Sequence, residues 1–134
     1  PKDLNLYQTQ KALDNARHAV RKGGIIILIG SCREGLGEKV FEEWMLSAPD
    51  PQSMIERIGR EFHLGGHKAA AIAMVMQSAD VYLVSDLSPE LVKSIFFRPF
   101  GSAQQALDQA FCELGHDSKV LLMPCGGSTL PLLK

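Results

Sequence analysis

The sequence predicts an α/β fold, a three-layer sandwich in which a small, mostly parallel sheet of three to four strands is flanked by helices. Segments with the 3.6-residue apolar period of helices alternate with short apolar runs of strand length. The clearest run, residues 25–29, is continuously apolar and rich in isoleucine, which is typical of a strand buried on both faces. Helices that alternate with such strands imply crossover connections, and these connections make neighbouring strands parallel.

The first half of the chain contains four predicted helices and one strand. A helix over residues 6–22 ends at Gly23-Gly24, and the strand at 25–29 and a glycine-bounded polar loop at 30–35 follow it. The apolar stripe of this helix consists of Leu6, Leu13, Ala16 and Val20. Asp50-Pro51 is a helix start signal. The other three helices are predicted over residues 37–46, 51–62 and 67–77.

The second half is predicted to hold three strands and two helices. The strands cover residues 81–84, 95–97 and 119–123, and the second of them ends before Pro99. Ser88-Pro89 begins a helix that runs to residue 94, and Ser102 caps a helix that runs to residue 114. The last strand leads into a loop over residues 124–129.

The length of 134 residues indicates a single domain over residues 1–134. The chain is 46% hydrophobic and 22% charged, which excludes a disordered segment. Its net charge of −1 gives no reason to expect a nucleic acid or an anionic membrane as a partner. The longest apolar runs are far shorter than the roughly 20 residues of a bilayer helix. Because the first residue is Pro1, we expect the chain to be part of a longer protein.

The cysteines indicate a reducing compartment. The chain has an odd number of cysteines, namely Cys32, Cys112 and Cys125, and their long spacings include no CxxC pair. This argues against both a disulfide framework and a thiolate zinc site, so reduced thiols and a cytoplasmic location are expected. His63 and His67 have the four-residue spacing of metal-binding helices, but Gly65-Gly66 between them breaks such a helix, and we expect no metal site.

Three predicted strands end in small polar loops, and parallel strands place such loops at one edge of the sheet, where ligands bind. One loop holds Cys32, Arg33 and Glu34, and a second holds Ser85-Asp86. The third loop consists of Gly126, Gly127, Ser128 and Thr129. Its glycines let a backbone approach a ligand closely, as in a binder of phosphate or another small anion, but they also suit a plain strand-exit turn.

Two further groups could bind an anion. Gln8 and Lys11 are three residues apart on the first helix, so a cation and an amide donor point the same way, although a solvated helix face looks the same in sequence. His67 and Lys68 lie at a predicted helix N-terminus, where an anion is stabilised. Lys68 needs compensation there, either from a ligand or from a carboxylate such as Asp86 or Glu34. Cys32 beside Arg33 could carry a thiol of lowered pKa, or it could be structural.

Five segments, in this order, resemble the C-terminal half of the nickel-dependent lactate racemase family. They are residues 3–13, with Gln8 and Lys11, Gly23-Gly24-Ile25-Ile26, residues 32–37, residues 62–69 and residues 123–131. The resemblance implies a protein of two α/β domains with the active site between them. The missing N-terminal domain would hold a nickel pincer nucleotide, and this chain alone would bind no cofactor.

The resemblance also implies roles for individual residues. Gln8 and Lys11 would contact a small 2-hydroxyacid substrate, with Lys11 catalytic, in a racemase or epimerase. His67 and Lys68 would shape the substrate pocket at a place where lactate-specific members have a tryptophan, and so would favour a larger or more acidic substrate. The two loops that begin at Cys32 and Gly126 would line the cleft. The isolated chain would be inactive. The alternative is a non-catalytic module that retains the fold and binds a small anion or a partner.

Overall fold

The computed structural model describes residues 2–132, and the structural statements below concern these residues. The chain forms helices α1 to α6, strands β1 to β3 and one 3₁₀ turn, in the order α1 (Leu6–Ala16), β1 (Gly24–Ile29), α2 (Lys39–Ser47), α3 (Pro51–Arg60), α4 (Gly66–Met76), β2 (Ala79–Val84), α5 (Pro89–Ser94), β3 (Arg98–Phe100), α6 (Ala103–Leu114) and the turn (Gly126–Ser128). None of the helices described between residues 2 and 132 combines the length and the apolar content that a bilayer crossing requires.

The three strands form one parallel sheet in the order β1-β2-β3, so the α/β prediction is confirmed. Gly24 pairs with Ala79 and Ile29 pairs with Val84, which puts the strands β1 and β2 in full register. β3 is short and covers the second half of β2, with Tyr82 opposite Arg98. The carboxyl ends of β1 and β2 therefore lie side by side.

Helices cover both faces of the sheet. α1 and α4 pack on one face and against each other, with α2 and α3 behind α4, while α6 contacts all three strands from the other side. Side chains alternate accordingly along β2, because successive residues of a strand point to opposite faces. Leu83 joins the main core, whereas the hydroxyl of Tyr82 reaches Glu113 of α6 at 2.6 Å. The largest fully buried side chains include Trp44, Phe41 and Phe97.

The helix starts predicted from sequence are confirmed by hydrogen bonds. Asp50 accepts the backbone N–H of Ser53 at 2.8 Å, and Ser88 and Ser102 act in the same way for α5 and α6. Each cap satisfies a backbone donor that has no partner within the helix.

The first helix is shorter than predicted, because it ends at Ala16 rather than at residue 22. Beyond Ala16 the backbone bonds shift to a three-residue spacing, with His18 N–H donating to the carbonyl of Asn15 and Ala19 N–H to that of Ala16. Such bonds close tight turns instead of extending an α-helix. These turns bring the chain round into β1.

The predicted strand over residues 95–97 is wrong, since these residues end α5. Phe96 has a φ of 70°, and Phe97 N–H donates to the carbonyl of Val92 while Phe96 N–H donates to that of Lys93. This pair of bonds is the Schellman motif that ends helices. The strand lies at Arg98–Phe100 instead, and it includes Pro99, which an edge strand tolerates.

The predicted strand over residues 119–123 is also wrong. Its residues have no regular secondary structure, and no backbone hydrogen bond joins them to another residue of the described range 2–132. Val120, Leu121 and Leu122 are exposed, with Leu122 at 80%, and Met123 is half-buried. The loop over residues 124–129, which we call the glycine loop, therefore does not extend from the sheet edge.

Candidate functional site

The candidate site is built on the exposed side of α1. Gln8 and Lys11 are both exposed there, three residues apart. Asn5 caps the helix by accepting the backbone N–H of Gln8 at 2.9 Å. The backbone N–H groups of Leu6 and Tyr7 donate to the loop that follows β1, at Gly35 and Leu36. These bonds fix the start of α1 at the carboxyl end of the sheet.

On one side α1 meets α4 through Lys68. Its ammonium group donates to the backbone carbonyl of Tyr7 at 3.0 Å and lies 3.9 Å from the centre of the Tyr7 ring. Burial lowers the pKa of Lys68, and the like charge of Lys11 lowers it further, against an opposing effect of Asp14. Because Tyr7 lies one helical turn before Lys11, its contact with Lys68 places the second lysine on the side of α1 that Lys11 borders.

On the other side α1 meets the glycine loop. The side-chain amide of Asn15 donates to the carbonyl of Gly126 at 2.8 Å. A Cβ atom added to Gly126 would lie 3.1 Å from the Cβ of Ala12, so the turn packs closely on the helix. Lys2 donates to the hydroxyl of Ser128 at 3.0 Å. These contacts bring the loop to α1, although it does not leave a strand end.

Lys11 therefore lies between the two flanking elements, and Gln8 lies on the side of the turn. Around a helix of about 100° per residue, Lys11 is about 40° from Tyr7 and about 40° from Asn15, while Gln8 is about 20° from Asn15. Lys68 thus borders the pair on one side and the turn Gly126–Ser128 on the other. We refer to Gln8, Lys11, Lys68 and this turn together as the α1 site.

The charge of the α1 site is positive and is not neutralised within the described structure. Among residues 2–132, no carboxylate oxygen lies within 4.0 Å of the ammonium group of Lys11 or Lys68. Asp14, the one carboxylate within α1 (Leu6–Ala16), pairs with Arg17 at 3.2 Å. Two ammonium groups beside an amide donor suit a carboxylate ligand, because charge-assisted hydrogen bonds are the strongest that such groups make.

Of the two sources of compensation considered for Lys68, a ligand or a carboxylate such as Asp86 or Glu34, the described residues form no ion pair of the second kind. In the described residues Lys68 interacts with the carbonyl and the ring of Tyr7, four positions before Lys11 in α1. The sequence does predict that Tyr7 lies on the same face of α1 as Lys11, because residues four apart share a helix face. Nothing in the sequence indicates that a residue of α4 contacts Tyr7.

The loop after β1 is held by the segment before α1. The carboxylate of Asp3 accepts the backbone N–H of Ser31 at 2.8 Å, and the backbone carbonyl of Asp3 accepts the N–H of Cys32 at 2.8 Å. Asp86 N–H donates to the carbonyl of Ser31 at 2.9 Å, so the loops after β1 and β2 meet at one edge as expected. Arg33 and Glu34 are exposed there, at the rim of this loop.

Cys32 does not line a cleft, because its side chain is completely buried. The sulfur lies 3.5 Å from the hydroxyl oxygen of Thr9 in α1. Burial raises the pKa of the Cys32 thiol, and the contact with Thr9 opposes that effect only in part. A thiol of this kind is structural, which was one of the two interpretations of the sequence.

His67 turns away from the α1 site. Its Nδ1 accepts the backbone N–H of Gly65 at 3.0 Å, and its ring lies 5.7 Å from that of Phe62. Within residues 2–132, no hydrogen bond or ring contact joins it to Gln8, Lys11 or Lys68. The structure therefore brings Lys68 to Tyr7 of α1, whereas its neighbour His67, also in the first turn of α4, bonds back to Gly65.

A metal centre is not formed by the described residues, since between residues 2 and 132 no three or more His, Cys, Asp or Glu side chains are grouped to hold an ion. The ring of His63 lies 3.5 Å from the carboxylate of Glu61, and its contact with His67 is a backbone bond in which its carbonyl accepts the N–H of His67 at 3.3 Å. Backbone conformation and packing explain why Gly65 and Gly66 lie between the two histidines. Gly65 has a φ of 97°, and a Cβ on Gly66 would lie 2.6 Å from the ring of Trp44.

Comparison with known proteins decides the family. A family model described as the lactate racemase C-terminal domain matches residues 1–130. The chain belongs to this family. It is 31% identical over 135 residues to the lactate racemase of Thermoanaerobacterium thermosaccharolyticum, covering 97% of this chain and 32% of that protein. It is 26% identical over 131 residues to the lactate racemase of Lactiplantibacillus plantarum, covering 94% of this chain and 31% of that protein.

The fold agrees with the same family. The structure of the lactate racemase apoprotein from Thermoanaerobacterium thermosaccharolyticum aligns with a TM-score of 0.90 and 29% identity, over 97% of this chain and 32% of that one. A lactate racemase C-terminal domain is thus an α/β unit with a small parallel sheet. The chain spans about a third of the length of the curated relatives that it matches, less than the half expected from the sequence.

Proposed function

We propose that the chain is the substrate-contacting C-terminal domain of a 2-hydroxyacid racemase or epimerase. The longer protein, which we call the parent protein, would place an N-terminal domain against the α1 site. The observation that carries the proposal is the pair of ammonium groups on Lys11 and Lys68, which have no carboxylate partner among residues 2–132. The chain that holds them is a member of the lactate racemase family.

Each residue of the α1 site has a role that follows from its chemistry. The carboxylate of a 2-hydroxy acid would accept hydrogen bonds from the ammonium group of Lys11, and the side-chain amide of Gln8 would bond to the same carboxylate or to the 2-hydroxyl group. Charge that develops on the substrate oxygen during the reaction would lie beside the Lys11 cation. A fixed cation aimed at developing charge is a strong source of catalysis.

Lys68 favours a second acidic group on the substrate. An ammonium group has three donors, and the bond to the carbonyl of Tyr7 uses one of them. The other two could reach a carboxylate that extends beyond the first one. We therefore propose that the parent protein prefers a hydroxy acid that is larger or more acidic than lactate.

The nickel pincer nucleotide would be held by the N-terminal domain. Inversion of a 2-hydroxy acid requires its C2–H bond to break and to form again on the opposite face, and that cofactor would supply this chemistry. The roles proposed for Gln8, Lys11 and Lys68 require no metal ligand from this chain. The cysteines at 32, 112 and 125 are free, which agrees with a cytoplasmic parent protein.

The experiment follows the interconversion of enantiomers by chiral chromatography. The parent protein, loaded with cofactor, is given the pure L and D forms of a monocarboxylic and a dicarboxylic 2-hydroxy acid. We expect racemisation or epimerisation, with a higher kcat/KM for the dicarboxylic acid. The 134-residue chain alone should show none.

The non-catalytic alternative gives a different result. A module that only retains the fold would bind a small anion, measured by calorimetry, while the loaded parent protein would leave both enantiomers unchanged. That outcome would reject the racemase proposal.

A further inference from the structure

Within the segment over residues 119–123, the side chains of residues 120–122 form an apolar surface that is left exposed in the described structure. Val120 is 60% exposed, Leu121 is 63% exposed and Leu122 is 80% exposed. Single exposed apolar residues are common on protein surfaces, but three consecutive ones form a continuous patch. Such patches mark sites of interaction.

The backbone of the same segment is equally free. Within residues 2–132, none of its N–H or C=O groups takes part in a backbone hydrogen bond. Its sequence, Val120-Leu121-Leu122-Met123, is apolar at every position, as in a strand that is buried on both faces. The segment therefore has both the side chains and the backbone groups that a strand contributes to a sheet.

The occupant that fits this surface is the remainder of the parent protein. This chain corresponds to about a third of the length of its curated relatives, so about two thirds of a relative's residues lie outside it. The segment also leads directly into Gly126–Ser128, which packs against α1. A partner that binds the segment would hold the loop beside the α1 site.

We propose that residues 119–123 dock as a strand on the edge of a sheet in the other part of the parent protein. Strand addition of this kind satisfies backbone groups on both sides, while apolar pockets accept the side chains. The inference rests on the proposed existence of a partner domain. Its readouts do not depend on racemase activity, so its failure and that of the proposed function can be told apart.

Hydrogen exchange measured by mass spectrometry tests the docking. In the parent protein, we expect the backbone amides of residues 120–123 to exchange at least about a hundredfold more slowly than in the 134-residue chain, while those of β1 are protected in both proteins and so report that the short chain is folded. Equal protection in both proteins would mean that the partner lies within this chain, for example at the free edge of β1, and would overturn the proposal. Protection in the short chain that depends on its concentration would indicate pairing with a second copy and would also overturn it.

A matched pair of variants tests the side chains. The parent protein is cut by a site-specific protease before residue 1, and the two fragments are passed over a sizing column. The fragments should elute together for the native sequence and for Leu46→Ser, which alters an exposed leucine of α2. They should separate for the double variant Leu121→Ser, Leu122→Ser. Continued co-elution of the double variant, or separation of the native pair, would contradict the docking strand.

Discussion

The ammonium group of Lys68 donates to the backbone carbonyl of Tyr7 at 3.0 Å and lies 3.9 Å from the centre of the Tyr7 ring. This relationship ties the first turn of α4 to the first turn of α1. It also brings the charge of Lys68 near Lys11, which follows Tyr7 by one helical turn. The positive charge of the α1 site thus arises from two helices that are far apart in sequence.

The titration of Lys68 tests this neighbourhood. Because burial and the charge of Lys11 lower its pKa, while Asp14 opposes them, Lys11→Gln should raise the pKa and Asp14→Asn should lower it further. Nuclear magnetic resonance of the side-chain carbon next to the Lys68 nitrogen, followed through the alkaline range, measures both shifts. Lys93→Gln, an exposed substitution in α5, should change nothing.

The same pKa predicts how Lys68 affects stability. In the folded chain its pKa lies below the ordinary value of 10.5, so between the two values the unfolded chain binds more protons. The contribution of Lys68 to the free energy of unfolding should therefore increase as pH rises through the folded pKa towards 10.5. A decrease over that interval, relative to Lys68→Met, would contradict the burial of the charged group.

Acid should weaken the junction between the sheet and α6. Glu113 accepts the hydroxyl of Tyr82 and pairs with Arg98, and these bonds lower the pKa of Glu113 to about 2 from 4.5. A lowered carboxyl pKa stabilises the fold above pH 4.5, and this contribution is lost as pH falls from 4.5 towards 2. Urea unfolding between pH 2 and 6 should show a flatter pH profile for Glu113→Gln than for the native chain. Glu56→Gln in α3 is the control and should retain the native profile.

Several elements were predictable because their signals are local. The caps Asp50, Ser88 and Ser102 lie three residues before the N–H groups that they accept, so the sequence contains the whole interaction. β1 was predictable from its unbroken apolar run. In the candidate site, the shared face of Gln8 and Lys11 followed from helical spacing alone.

The wrong predictions depend on contacts that the local sequence does not contain. Phe96 occupies a left-handed position that glycine usually takes, so the end of α5 resembled a strand. Residues 119–123 have the composition of a strand, but in the described residues they have no strand to pair with. The contact of Lys68 with Tyr7 spans 61 residues, and no spacing rule predicts it.

Gly59 in α3 and Gly66 at the start of α4 should respond oppositely to alanine. At Gly66 the new Cβ would lie 2.6 Å from the buried ring of Trp44, and we expect a loss of about 1–3 kcal/mol in the free energy of unfolding. At Gly59 in α3 nothing lies within 4 Å of the new atom, and alanine should stabilise the helix by about 0.5–1 kcal/mol. Chemical denaturation of both variants measures the difference. Equal changes in the free energy of unfolding for the two variants would contradict the close packing of Gly66 against Trp44.

The glycine loop offers a second matched pair. Gly126→Ala would bring its Cβ to 3.1 Å from that of Ala12 and should displace the turn from α1, whereas Gly127→Ala meets nothing within 4 Å. In the parent protein, Gly126→Ala should raise KM for the hydroxy acid several-fold, because the turn borders Gln8 and Lys11. Gly127→Ala should leave KM unchanged. The same KM for both variants would mean that the turn does not border the substrate site.

The most direct test of the account is the kcat/KM of Lys11→Ala in the cofactor-loaded parent protein. If the ammonium group of Lys11 binds the substrate and stabilises its developing charge, kcat/KM should fall by about a hundredfold or more, as for other groups of this role. Lys93→Ala, which removes an exposed lysine of α5, should remain within about twofold of the native value. A value for Lys11→Ala equal to that of Lys93→Ala would contradict the assignment of the α1 site.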